Sequence, residues 1–76
     1  MKIEVLGPGC AKCKTLFENT QHAVKELNLQ AEITKVEEIQ KIVEAGVMMT
    51  PALVLNGEVK SVGKVLSVDD IKKMLI

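Results

Sequence analysis

Tryptophan and tyrosine are absent from this sequence, and Phe17 is its lone aromatic residue. Single-stranded bases stack on aromatic rings, so that mode of nucleic-acid binding has no platform here. Neither sign of charge prevails: ten Lys and Arg balance ten Asp and Glu. The summed field offers no pull on phosphate backbones or anionic lipid, so neither nucleic acid nor a membrane is an expected partner. Long apolar runs are also missing, whereas a membrane-spanning helix needs about 20 consecutive apolar residues. Glu4 falls inside what would have to be the apolar region of a secretory signal, which leaves the cytoplasm as the expected location. Two cysteines in a reducing compartment point to catalysis or metal binding before a permanent cross-link.

What remains is aliphatic. Apolar residues make up 47 % of the chain, enough for one core without staples, and 76 residues leave no room for a second domain. The expectation is a single domain over residues 1–76. Lys2 to Leu6 alternates around Ile3 and Val5 and stops at Gly7-Pro8-Gly9, which reads as a strand meeting a turn. From Ala11 to Leu29 the positions Cys13, Leu16, Phe17, Thr20, Val24 and Leu27 recur three or four apart, the spacing of one helical face. Ala31 to Val36 reads as a second strand. Glu37 to Ala45 reads as a second helix, with Ile39, Ile42 and Val43 on one side and Gly46 at its C-terminal cap.

Pro51 to Leu55 and Glu58 to Val62 flank Asn56-Gly57, a strong signal for a two-residue hairpin. Ser67 is placed to cap the amide of Asp70, with Leu66 and Ile71 as a hydrophobic staple opening a last helix. The order is βαβαββα. A right-handed crossover makes the first two strands parallel, and the hairpin adds an antiparallel pair, so the fold class is α/β with helices on both faces of a mixed sheet.

Cys10 and Cys13 stand where the first strand gives way to the long helix. At that end the unpaired amides and the helix dipole favour an anion, which predicts a Cys10 thiolate with a pKa below the free value of about 8.5. Cys13, one turn on, shares the apolar face with Leu16 and Phe17 and is expected to be the buried, resolving thiol. Residues three apart in a helical turn bring their Cα atoms near the roughly 5.5 Å a disulfide prefers, so the pair can close reversibly. Lys12 and Lys14 are either solvated helix residues or local positive charges that favour the thiolate. Glu4, six residues before Cys10, is either a carboxylate reaching water or a proton relay to the resolving thiol. Thr50-Pro51 opens the third strand. A cis bond there would turn the Thr50 backbone toward the thiols to pair with an extended substrate. Met48 and Met49 beside it read as core before they read as an adaptable apolar rim. His22 reads as a surface helix residue.

Taken together, the strand leading into Cys-X-X-Cys, Thr50-Pro51, the Asn56-Gly57 hairpin, Gly63 and the closing helix resemble the thioredoxin superfamily. More narrowly, they resemble its small redox-active disulfide proteins, glutaredoxin-like mini-thioredoxins. The resemblance covers essentially the whole chain. It implies a four-stranded mixed sheet, a cis peptide before Pro51, substrate contacts around Thr50, Pro51 and Gly63, and Cys10 as nucleophile beside Cys13. Glu4 falls where thioredoxins carry a buried acid, while Ala11-Lys12 stands where thioredoxins carry Gly-Pro and glutaredoxins Pro-Tyr. The implied activity is thiol–disulfide exchange with protein substrates and an upstream reductase, by a monomer with no cofactor beyond the dithiol. The competing reading is a metal-binding or metal-transfer module, since Cys-X-X-Cys before a helix also marks copper-transfer domains. Those run strand, helix, strand, strand, helix, strand, unlike this chain. A structural zinc site wants four ligands, and His22 lies some 13 Å along the helix from Cys13, so no metal is expected.

Overall fold

A computed structural model of the chain describes residues 1–9 and 11–76. Its elements run β1 (Lys2–Leu6), α1 (Ala11–Glu26), β2 (Glu32–Val36), α2 (Ile39–Glu44), β3 (Ala52–Leu55), β4 (Glu58–Val62) and α3 (Val68–Leu75). The four strands form one mixed sheet in the order β2-β1-β3-β4. β1 pairs with β2 in parallel and with β3 antiparallel, and β3 pairs with β4 antiparallel. The expected α/β class and strand arrangement are therefore those of the molecule.

Alternation along β1 splits the interior into two layers. Ile3 and Val5 point to one face, where they pack with Leu16, Ala23 and Val24 of α1, Leu53 of β3 and Ile71 of α3. Leu6 points to the other face, where it meets Ile42 of α2, Val47, Ala52 and Val54. The helices thus cover both faces unequally, two against one. Thr20 is fully buried in α1 because its hydroxyl donates to the Leu16 carbonyl at 2.7 Å, which satisfies the group inside the helix.

Two helix ends differ from the spacing of apolar residues, and each has a local cause. The periodicity through Leu29 predicts a longer α1, but Asn28 adopts a left-handed φ of 54°. Its amide donates to the Lys25 carbonyl and that of Leu29 to Val24, both at 3.1 Å, closing a Schellman motif in which Leu29 packs back on the cluster containing Val24. The same device ends α2: Gly46 has φ 80°, its amide bonds the Val43 carbonyl at 2.9 Å, and Val47 bonds Ile42 at 3.3 Å. At its start α2 is shorter than the expected 37–45, because Glu38 is extended (φ −71°, ψ 122°). Of its three apolar positions only Ile42 is buried. Ile39 and Val43, expected on the same inward side, are 69 % and 65 % exposed because a six-residue helix presents a narrow contact to the sheet.

The hairpin turn is as anticipated, with Asn56 and Gly57 both at positive φ, 50° and 84°. Asn56 also bridges to β1: its side chain accepts from the Lys2 amide at 2.8 Å and its amide donates to the Lys2 carbonyl at 2.7 Å. Ser67 caps α3 by accepting from the Asp70 amide at 3.1 Å. Among the described residues no helix is long and apolar enough to cross a membrane. Because an L-residue is strained at the backbone angles of Gly57, Gly57→Ala is expected to lower stability by about 1 kcal/mol, read as a lower urea midpoint with an unchanged slope.

Candidate functional site

Strand register gathers the site. The row Leu6, Val36, Ala52 and Val62 crosses the whole sheet. One residue further, at the carboxyl ends of β1 and β2, come Gly7 and Glu37, beside Pro51 just ahead of β3 and Gly63 just after β4. Hydrogen bonds extend the pairing into this last row: the Gly7 amide donates to the Val36 carbonyl at 2.9 Å, and the Gly63 amide donates to the Pro51 carbonyl at 2.8 Å. Residues far apart in sequence thus meet at one edge.

Cys13 belongs to the first turn of α1 and is 5 % exposed. Its sulfur rests against Gly7, where a Cβ would collide with Cys13 Sγ and would stand 3.8 Å from Thr50 Cβ. Gly7 is therefore required by close approach, a role its turn signal did not reveal. The Thr50–Pro51 peptide is cis. Gly63, at φ 72°, leaves 3.3 Å between its would-be Cβ and the Met49 side chain. Cys13, Gly7, Thr50, Pro51 and Gly63 accordingly form one neighbourhood. Cys10, the sequence neighbour of Ala11, lies outside the described residues.

Beside Cys13 opens a cleft of about 170 Å³, lined by Val5 from β1, Gly7 and Gly9 from the loop after it, Cys13 and Lys14 from α1, and Lys35 and Glu37 from β2 and the residue beyond it. Lys35 and Glu37 are two apart on extended chain. Lys35 is in register with Val5, so both share the face that α1 covers. The Lys35 ammonium lies 4.6 Å from the centre of the Phe17 ring, a cation–π contact that fixes its position at the cleft. Glu4 has the opposite parity. It pairs with Val54, a member of the α2-side cluster, and it is absent from the cleft lining. Lys12 is exposed on α1, as is His22. Met48 and Met49 are 96 % and 63 % exposed, not core, because they lie in the segment between α2 and β3, outside both buried clusters. Among the described residues no group of three or more His, Cys, Asp and Glu side chains is gathered as a metal ion would need.

Comparison with known proteins agrees with this architecture. A thioredoxin-domain family model matches residues 1–76. The chain belongs to the thioredoxin family. A thioredoxin of Methanothermobacter thermautotrophicus is 47 % identical over 75 residues, covering 99 % of this chain and 97 % of that protein. One from Methanocaldococcus jannaschii is 40 % identical over 73 residues, covering 96 % and 84 %. A probable thioredoxin of Methanothermobacter marburgensis is 33 % identical over 67 residues, covering 83 % and 79 %. For this thioredoxin-family domain, filling the space between Gly7 and Cys13 is expected to be costly. Gly7→Ala should lower stability by about 1 to 3 kcal/mol, seen in denaturant unfolding, and should speed alkylation of Cys13 in the native state by levering its sulfur outward.

Proposed function

We propose that this thioredoxin-family chain is a thiol–disulfide oxidoreductase that reduces disulfides of protein substrates through Cys10 and Cys13. The observation that supports this best is the seat of Cys13: a thiol side chain buried in the first helical turn, against bare backbone at Gly7 and next to Thr50. A thiol so held is shielded from casual oxidation, and its sequence partner Cys10 stands three residues before it, the spacing a resolving cysteine needs.

In this reading Cys10, which precedes Ala11 of α1 in the sequence, is ionised and attacks one sulfur of the substrate disulfide. A Cys10–substrate disulfide forms and the other half of the substrate leaves as a thiol. Cys13 then attacks the Cys10 sulfur. The Cys10–Cys13 bond forms as the bond to substrate breaks, and two electrons have passed from the dithiol to the substrate. An upstream reductase restores the dithiol, and no further cofactor is required. The chain works as a monomer in the cytoplasm. Thr50, Pro51 and Gly63 receive an extended stretch of the substrate, and exposed Met48 supplies an adaptable apolar contact beside them. Lys12, two residues after Cys10 in the sequence, adds positive charge that favours the thiolate.

A redox titration of the thiols, with metal analysis of the purified protein, tests the assignment. The expected result is a defined two-electron midpoint, loss of reductase activity in Cys10→Ser, and accumulation of a mixed disulfide with substrate in Cys13→Ser. Stoichiometric bound copper, zinc or iron, or full activity in Cys10→Ser, would overturn it.

A further inference from the structure

The proton that the buried thiol must lose before it can attack has a destination in the cleft. We infer that Glu37 is the base that accepts the Cys13 proton, through water in the cleft, during the step that releases substrate. This rests on the reductase reading above and adds a residue to it.

Parity carries the argument. Extended chain through Lys35 and Glu37 puts both on the α1 side of the sheet, with Val5, and both line the cleft with Cys13. The hydrogen bond from Gly7 to Val36 brings Glu37 alongside the β1 end on which the Cys13 sulfur rests. Its carboxylate is close to the same loop: Glu37 Oε2 lies 3.4 Å from where a Cβ on Gly9 would stand. Glu4 is on β1 itself but on the opposite face, so the sheet stands between it and this cleft.

Among the described residues, the charged groups facing Glu37 are Lys14 from α1 and Lys35 from β2, while β1 contributes Val5 and the loop after it Gly7 and Gly9. Lys35 is held over Phe17 and Lys14 is exposed, so both cations attract the thiolate once formed without supplying a base. Among the described residues, Glu37 is the one carboxylate in the lining. In the step proposed, the Cys13 thiol proton passes by way of water to the Glu37 carboxylate. The Cys13 sulfur then bonds the Cys10 sulfur of the mixed disulfide, the bond from Cys10 to substrate breaks, and the departing substrate thiolate takes up a proton.

Charge alone predicts the reverse effect of base catalysis. Removing a negative charge beside a forming thiolate stabilises it and speeds the attack, whereas removing the proton acceptor slows it. The two are separable in single-turnover reaction of the reduced protein with dithionitrobenzoate, an aromatic disulfide. Its first coloured thiolate reports attack by Cys10, and its second reports resolution by Cys13. For Glu37→Gln the expected result is an unchanged first burst and a second burst slowed on the order of 10²-fold, with the acid-side fall of its pH profile removed. Glu37→Asp should recover part of the rate and the acid-side fall, and Glu4→Gln should leave both bursts as they are. A Glu37→Gln second burst that is unchanged or faster overturns the inference, as does an equal slowing of both bursts. Absence of a first burst in the unaltered protein overturns the reductase reading together with it.

Discussion

Backbone pairing of β1 with its neighbours on both sides is the constraint on which the site depends. Each ladder hydrogen bond contributes only about 1 kcal/mol net, but register is discrete, and slipping a strand by one residue sends every side chain to the other face. With Leu6 opposite both Val36 and Ala52, the next row follows without freedom. It brings Gly7, Glu37, Pro51 and Gly63 to one edge, where α1 begins. No contact within that row is strong, and its order comes from the sheet behind it.

The same alternation makes the sheet a partition. On one side α1 and α3 enclose the larger cluster, and Asn19 strengthens that layer by donating from its side-chain amide to the Leu66 carbonyl at 2.9 Å. On the other, the short α2 buries Ile42 and leaves Ile39 and Val43 outside. Cys13 reaches the sheet from the well-packed side, at Gly7, the residue after β1, which has no side chain. Burial of the sulfur therefore needs no cavity: a glycine supplies the space.

Much of this was legible in the order of residues, wherever the physics is local. Asn56-Gly57 announced its turn because both residues tolerate positive φ, Gly46 its helix end, and Ser67 its cap. Asn28 carried the same kind of signal, and Asn28 to Gln30 reads as the connection to the second strand even though apolar periodicity runs on to Leu29. What stayed hidden depends on which strands lie side by side. Glu37 reads as the first residue of a helix, and only its place beyond Val36 beside Gly7 brings it to Cys13. The contact of Lys35 with Phe17 joins different elements in the same way. Met48 and Met49 misled because methionine usually fills cores, and here both stand in the segment between α2 and β3 with their side chains exposed. Position along β1 located Glu4 correctly, but which face it took was decided by the pairing with Val54.

The reciprocal bonds between Asn56 and Lys2 have a practical corollary. They pin the hairpin tip to the amino end of the central strand, and the carbonyl of Met1 accepts from Glu32 at 2.9 Å on the other side. The amino terminus is thereby stitched down about a strand's length, roughly 16 Å for five residues, from the buried sulfur. A tether, dye or surface linker joined ahead of Met1 would leave from the sealed end of the molecule and keep the open end facing outward.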